Sequence, residues 1–214
     1  SATRRYGFDM HLLNTTVETG IPSCVAVLED LSGKAPRLVF GGGCQLSPAK
    51  AILRAAEEVW ALYYQNREAP SAYFELTDDF APFETSVGHI ERIRLAANPK
   101  MKDNYDFLIK GAPKKFSEYS FDLPKSFSSK KEELVWAVRK VESLGRGYEV
   151  YAYVSEHALL KELGYEVARV IVPALLPLYL QEHRAPLGAK RIPEILVKMG
   201  KAGQSINSWP HPFP

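Results

Sequence analysis

Cysteine, net charge and long apolar segments are all scarce in this chain, and each scarcity excludes a class of protein. Only two cysteines, Cys24 and Cys44, occur in 214 residues, and nothing has the spacing of a structural zinc site. Both lie in apolar or glycine-rich sequence, so we expect reduced, buried thiols of a cytoplasmic protein. The net charge of +2 is too small to indicate a nucleic-acid partner. Because no apolar run reaches the length of a membrane span, we expect no membrane partner either.

Hydrophobic periodicity in the first third of the chain predicts three strands and a helix. Residues 8–13 alternate in polarity, residues 23–28 are β-branched and apolar, and residues 37–40 form a third short apolar run. The glycines at 41–43 then predict a flexible bend. Ser47 and Pro48 are typical of the first residues of a helix, and the apolar positions that follow have helical spacing.

The rest of the chain predicts a second unit of strand, helix and strand. Residues 72–128 have weak signals and predict a long loop with short helices. A capping box opens a helix over residues 129–145. Strands at 148–154 and 167–172 flank a short helix. We therefore expect an α/β fold, with a mixed β-sheet and helices packed on it.

The final segment, Pro210-His211-Pro212-Phe213-Pro214, is the most distinctive part of the sequence. Alternate prolines hold φ at about −65° and remove backbone donors, so the segment forms a stiff, extended rod. Chain termini are usually frayed, and a rigid terminus predicts that the position of the last carboxylate matters. The alternative is a proline-rich tail that packs Trp209 and Phe213 on the surface.

Two charged features offer candidate ligands. Arg54, Glu57 and Glu58 lie within one helical turn, and adjacent carboxylates can hold Mg²⁺ together with phosphate oxygens. The alternative is a solvated, salt-bridged helix face. Arg169 lies inside an apolar strand, where its guanidinium requires a carboxylate, a phosphate or water. The glycines at 41–43 lack the Lys-Ser/Thr ending of a phosphate loop.

Taken in order, these segments resemble the YcaO-domain family. Residues 13–22, LNTTVETGIP, resemble its "T…GxP" strand pair, and residues 41–58 resemble its glycine turn and "AxxRAxxE" helix. Residues 147–154 and 164–173 resemble the family region in which a strand arginine precedes a proline. Residues 207–214 resemble the Pro-x-Pro-x-Pro tail of azoline-forming members.

The resemblance implies an ATP-dependent cyclodehydratase that forms azoline heterocycles from Cys, Ser or Thr of a ribosomally made peptide. It implies that the Pro214 carboxylate is a general base, held by the rod that also contains His211. Four further side chains would then face ATP and Mg²⁺: Arg54, Glu57, Glu58 and Arg169. Among these, Glu58 would match the family's glutamate that helps to hold Mg²⁺, and Arg169 its arginine that faces the phosphates.

The resemblance also implies boundaries and partners. Residues 1–214 would be the C-terminal portion of a YcaO-type domain, with residues 200–214 as its extended tail. The chain lacks an initial methionine and the family's first nucleotide motif. We therefore expect a fragment that binds ATP weakly alone and works with the N-terminal half of the domain and an E1-like, leader-binding partner or fused domain.

Two departures from the family pattern keep other functions open. Ala61 stands where many relatives have glutamine, and Leu176 stands where relatives have an acidic residue. Both departures favour a degenerate homologue that acts as a non-catalytic scaffold, whereas the intact proline tail favours the enzyme. A third possibility is an unrelated α/β binding module whose tail docks into a partner's groove.

Overall fold

The computed structural model describes residues 3–34, 36–67 and 74–213. Their contacts divide the chain into two compact units. The first unit combines Ser1–Leu123, Leu178–Leu187 and Gly203–Pro214, and the second combines Pro124–Pro177 with Gly188–Ala202. Among the described residues, no helix has the length and apolar character needed to cross a membrane.

A three-stranded antiparallel sheet forms the centre of the first unit. Its strands are β1 (Phe8–Asn14), β2 (Ser23–Asp30) and β3 (Leu38–Cys44), in that order across the sheet. Helix α1 (Pro48–Arg67) packs on one face through apolar side chains at helical spacing. On the other face, Phe40 and neighbouring strand residues join a second apolar cluster. The central strand β2 is therefore almost completely buried.

The segment after α1 contains mostly short helices, as its weak sequence signals predict. Helix α2 (His89–Ala97) buries Ile93, Leu95 and both of its final alanines. Within the described residues of this unit, short 3₁₀ turns lie at Arg4–Tyr6, Pro99–Asn104, Asp106–Leu108, Phe116–Glu118 and Glu182–Arg184. The predicted loop with short helices is confirmed for residues 74–128, and residues 72 and 73 lie outside the described part of the chain.

The glycines at 41–43 form the end of β3, so the predicted flexible bend is wrong. A Cβ atom on Gly41 would lie 2.6 Å from the Ala55 carbonyl oxygen, and one on Gly43 would lie 2.1 Å from the Ala51 carbonyl oxygen. Strand β3 and helix α1 therefore approach so closely that side chains at these two positions do not fit.

The second unit consists of one strand pair and three helices: α3 (Lys130–Glu142), β4 (Tyr151–Val154), α4 (Ala158–Glu162), β5 (Ala168–Ile171) and α5 (Arg191–Lys198). β4 and β5 pair in an antiparallel register that sets Tyr153 opposite Arg169. Every residue of both strands is exposed. Helix α3 begins as predicted, since the Ser129 side chain accepts a hydrogen bond from the Glu132 N–H.

The predicted α/β class is confirmed, but the strand arrangement differs from the single mixed sheet that we expected. The named strands form two separate sheets, and each of their pairings is antiparallel. In the second sheet, the Ser155 N–H donates to the Val167 carbonyl at 2.8 Å and closes the connection of an antiparallel pair. Strand periodicity predicted these strands, but it carries no information on their direction.

The two cysteines occupy different environments. Cys24 lies in the core between β2 and α1, where burial raises the pKa of its thiol. Cys44 is exposed at the end of β3, so the prediction of burial is wrong for this residue. Both are free thiols.

Candidate functional site

The charged residues predicted to face nucleotide lie on the outer side of helix α1. Arg54 Nη1 donates to Glu57 Oε2 at 2.8 Å, and both side chains are more than half exposed. An exposed pair of this kind contributes at most about 1 kcal/mol to stability. The pair is thus compatible with the solvated, salt-bridged helix face that the sequence left open. It is equally compatible with a ligand that binds Arg54 or Glu57.

Glu58 makes a different contact. Its Oε2 accepts a hydrogen bond from the Gly42 backbone N–H at 2.5 Å. Strand β3 is an edge strand of its sheet, so the carboxylate satisfies an edge donor and fastens α1 to β3. Gly42 therefore contacts both the strand next to it in the sheet and a side chain of α1.

Arg169 lies on β5 in the second unit, and its side chain is exposed there. The sequence left open whether Arg169 faces a ligand or solvent on an edge strand, and its position on an exposed two-stranded sheet is compatible with both. Arg54, Glu57 and Glu58 belong to the first unit. The expected approach of Arg169 to these three residues therefore stays a prediction.

The C-terminal tail packs into the apolar cluster on the far side of the sheet from α1. The Phe213 ring meets Phe40 edge-on at 6.2 Å between ring centroids, and Trp209 meets Tyr105 at the same centroid distance. The Tyr105 hydroxyl donates to the Pro210 carbonyl at 3.4 Å. Trp209 and Phe213 are partly buried and pack against this cluster, which agrees with the alternative of a tail that packs these two rings. A role for the terminal carboxylate stays a prediction.

His211 occupies a buried polar pocket at the middle of the tail. Arg92 Nη1 lies 2.8 Å from His211 Nε2, and Arg92 Nη2 donates to the Tyr179 carbonyl, also at 2.8 Å. The Tyr179 ring stands edge-on to the imidazole at 4.6 Å. Burial and the adjacent guanidinium lower the pKa of His211 to about 4. Since arginine can only donate, His211 Nε2 is the acceptor and the ring is neutral.

Arg92 also forms an ion pair with Glu182 at 3.6 Å, and neither side chain has any exposed surface. Burial raises the pKa of Glu182, and the Arg92 charge opposes that shift. Removing one partner of such a pair costs about 3–5 kcal/mol, because the other charge stays buried without compensation. Sequence analysis missed this pair, because the two residues are distant in sequence and Arg92 resembles one more charge on a basic helix.

A second charged cluster lies on the sheet near the start of the chain. Glu29 accepts from Arg37 at 2.7 Å, and Asp106 accepts from Lys102 at 2.5 Å. The Lys102 ammonium also approaches Glu29 at 3.7 Å and lowers the pKa of Asp106. Each of these carboxylates has a basic partner, so we interpret the cluster as ion pairs that stabilise the fold and not as a ligand site.

A cavity of about 570 Å³ opens beside β1. Its walls come from β1, the start of α1 and the loop at residues 108–121, and they are largely apolar. Cys24 contributes to the wall, but its raised pKa keeps it a thiol at neutral pH and makes it a poor nucleophile. Cys24 therefore gives the cavity no nucleophile at neutral pH.

The sequence model of the YcaO cyclodehydratase family, described as ATP- and Mg²⁺-binding, matches residues 1–176. The chain belongs to the YcaO cyclodehydratase family. Two solved structures share its fold: the heterocyclase TruD, with 22% identity and a TM-score of 0.64, and a heterocyclase in complex with substrate and cofactor, with 22% identity and a TM-score of 0.69. Each match covers 99% of this chain and 26% of the solved one. No curated protein sequence matches the chain.

Family membership covers the first four-fifths of the sequence and stops before the tail. The family model ends at residue 176, whereas the structural matches extend over nearly the whole chain. The chain spans about a quarter of the length of those heterocyclases. The tail with His211 thus lies beyond the residues that the family model matches, whereas Arg92 lies within them.

The side chains that could hold the family's Mg²⁺ are few in the described part of this YcaO chain. Within residues 3–34, 36–67 and 74–213, no three His, Cys, Asp or Glu side chains converge to hold a metal ion. Glu57 is paired with Arg54, and one oxygen of Glu58 is bound to Gly42. The described residues do not complete a metal site by themselves, and no step of the chemistry proposed below passes through the ion.

Proposed function

We propose that this chain is the C-terminal portion of an ATP-dependent cyclodehydratase that forms azolines from Cys, Ser or Thr of a ribosomally made peptide. Membership in the YcaO cyclodehydratase family supports the reaction class. The packing of the proline tail onto the core is the observation that carries the proposal. The same packing would stabilise the fold of a scaffold, so the turnover of a protein with an altered tail, and not the packing itself, separates the two functions.

The chemistry that the family resemblance implies removes one amide oxygen from the peptide. The Cys, Ser or Thr side chain adds to the preceding carbonyl carbon and gives up its proton. The former carbonyl oxygen takes the γ-phosphoryl group of ATP and leaves as phosphate, while the amide nitrogen loses its proton and the ring C=N bond forms. The products are an azoline, ADP and phosphate, and both protons require an acceptor near the peptide.

The carboxylate of Pro214 is the proposed acceptor. Pro214 itself lies outside the described residues, but the rod before it is anchored as far as Phe213 by the core contacts of Phe40 and Arg92. A base held in place before the substrate arrives avoids the entropic cost of orientation in the transition state. General-base catalysis of this kind contributes about 10²- to 10⁴-fold to a rate.

Four charged residues are proposed to face the nucleotide: Arg54, Glu57, Glu58 and Arg169. Exposure of the Arg54–Glu57 pair supports this role, since neither charge is committed to the core. Glu58 is the proposed carboxylate ligand of Mg²⁺, an ion that typically takes one or two protein carboxylates and completes its shell with phosphate oxygens and water.

The remaining parts of the working enzyme are proposed to lie outside this chain. They are the N-terminal half of the YcaO domain and an E1-like, leader-binding partner or fused domain, together in the cytoplasm. Large apolar side chains on β4 and β5, including Tyr153, Val170 and Ile171, are more than half exposed. Apolar surface of this extent is typical of an interface and supports a further protein layer over this sheet.

Mass spectrometry of a precursor peptide tests the proposal. The protein that contains this chain, with its leader-binding partner and ATP, should shift the peptide's mass by the loss of one water for each ring and release one phosphate. Omission of ATP is the matched control. An unchanged peptide and unconsumed ATP in the complete reaction would favour the scaffold, and ATP consumption without loss of water would contradict the proposed reaction.

A further inference from the structure

We propose that Arg92 is a positioning residue that holds the catalytic tail through a hydrogen bond to neutral His211, and that Glu182 holds Arg92. This inference rests on the proposed function, because it assumes that the tail carries the general base. It changes the assignment of His211. The imidazole is an anchor for the tail, and the proton transfer belongs to the terminal carboxylate alone.

The geometry of the guanidinium supports this division of roles. One nitrogen of Arg92 donates to His211 in the tail, and the other donates to the Tyr179 carbonyl in the segment before the tail. The same guanidinium lies over the Tyr179 ring at 5.3 Å. Arg92 itself is fixed on α2, whose apolar face is buried against the core. A planar group with fixed donors on a rigid helix locates a partner more precisely than a flexible ammonium does.

Glu182 supplies the charge that allows Arg92 to stay ionised without solvent. Its carboxylate lies 3.6 Å from Arg92 Nη1, and its backbone N–H donates to the Val87 carbonyl at 3.0 Å, just before α2. Gly88 and Gln181 form an adjoining β-bridge. The acid is thus tied by backbone hydrogen bonds to the same end of α2 that carries its partner.

The hydrogen bond to Arg92 removes His211 from the list of proton acceptors. Its Nε2 lone pair is directed at the guanidinium at 2.8 Å, and burial together with the Arg92 charge lowers the pKa of the ring to about 4. The proposal therefore assigns the proton transfer to the terminal carboxylate, and it assigns to His211 the task of holding the rod that carries this carboxylate.

His211→Leu and His211→Gln separate anchoring from folding, and His183→Leu is the matched control. Leucine removes the acceptor, whereas the glutamine carbonyl can still accept from Arg92. His183 is exposed and follows Glu182 in the sequence, so His183→Leu shows the effect of losing an imidazole that is not part of the anchor. In the protein that contains this chain, His211→Leu should lower kcat for the peptide by about 10²-fold, the usual cost of a small misplacement. The KM for ATP should be unchanged, and His211→Gln should restore most of the rate.

Equal losses of kcat in His211→Leu and His211→Gln, or an unchanged rate in His211→Leu, would overturn the anchoring role. A second readout does not depend on activity. The ¹⁵N NMR signals of His211, identified by their absence in His211→Gln, should report a neutral ring with its proton on Nδ1 down to a pH near 4. A protonated ring at pH 6 would overturn the anchor. A neutral ring in a protein that does not modify the peptide would retain the anchor and reject the proposed function.

Discussion

Three side chains, the buried Arg92 and Glu182 and the partly buried His211, decide how firmly the tail of this chain is held. A buried ion pair adds little to stability when compared with apolar residues of the same size. Its presence here is explained by what it does for the third residue, since a neutral imidazole accepts the hydrogen bond that the pair directs toward the tail. The proline on each side of His211 restricts the backbone φ angle, so fixing His211 also limits the positions of the residues that follow it.

The free energy of unfolding should decrease as the pH is lowered, over a pH range that His211 sets. The folded ring stays neutral to about pH 4, whereas the unfolded ring takes a proton below its ordinary pKa of 6.5. The unfolded state therefore binds more protons between these values, and the stability present above pH 6.5 is lost as the pH falls toward 4. Arg92 and Tyr179 face the ring: the positive charge of Arg92 opposes its protonation, and the hydrogen bond with the Tyr179 backbone favours it to a smaller extent.

Denaturant unfolding of this chain and of His211→Gln from pH 4 to pH 8 measures that effect. Subtraction of the two stability curves removes the contribution of Glu182 and of all other titrating groups. The difference should be constant above pH 6.5 and should shrink as the pH decreases. His183→Gln, at an exposed site, serves as the control. Parallel curves for the native chain and His211→Gln would show that His211 is not held neutral.

At the scale of elements, the contact between β3 and α1 sets the position of the proposed nucleotide face. The glycines at 41 and 43 leave room for the helix backbone, so α1 lies directly on the strand and carries Arg54, Glu57 and Glu58 along one side. The hydrogen bond from Gly42 to Glu58 adds a polar link at the same contact. This close packing fixes the distance between α1 and the sheet, and with it the positions of the side chains on α1.

Gly43→Ala should destabilise the first unit, and Gly42→Ala is its matched control. The added methyl group at Gly43 would overlap the Ala51 carbonyl, and overpacking of this kind typically costs about 1–3 kcal/mol. At Gly42 the nearest atom to an added methyl group is Glu58 Oε2 at 3.9 Å, so we expect a change within about 0.5 kcal/mol. Thermal or urea unfolding measures both. Equal effects of the two substitutions would contradict the close strand–helix contact.

Features that depend on neighbouring residues could be predicted from the sequence, and contacts between distant residues could not. The strands at 8–13 and 23–28, the helix that begins at Pro48 and the stiffness of the tail all follow from period and from proline chemistry. The contact at Gly43 does not, because nothing in the sequence says whether a glycine bends the chain or admits a neighbour. The Arg92–Glu182 pair was also beyond sequence analysis, since only the fold brings the two residues together.

At the scale of the whole molecule, this chain has a well-packed first unit and a second unit with an exposed apolar sheet. Sheet β1–β3 is covered on both faces, whereas β4 and β5 expose every residue. The exposed sheet carries Arg169, the residue proposed to face the phosphates. The nucleotide site is accordingly proposed to be composite, with parts that this chain supplies and parts that the rest of the protein supplies.

Binding of ATP to this chain alone should be weak or undetectable. The described residues bring no three metal-binding side chains together, and Arg54 and Glu57 already neutralise each other. Isothermal titration calorimetry of the chain with ATP and Mg²⁺ measures the affinity, and the same titration of the longer protein is the control. A micromolar dissociation constant for the chain alone would contradict a composite site.

The central claim is that the tail places its terminal carboxylate for catalysis, and one added residue after Pro214 tests it most directly. The extension moves the carboxylate but leaves the core contacts of Trp209, His211 and Phe213 in place. Deletion of Phe213-Pro214 is less clean, because it also removes the contact with Phe40. In the full-length protein, the extension should lower peptide turnover by about 10²-fold, with ATP affinity and melting temperature unchanged. Unchanged turnover in the extended protein would contradict the claim.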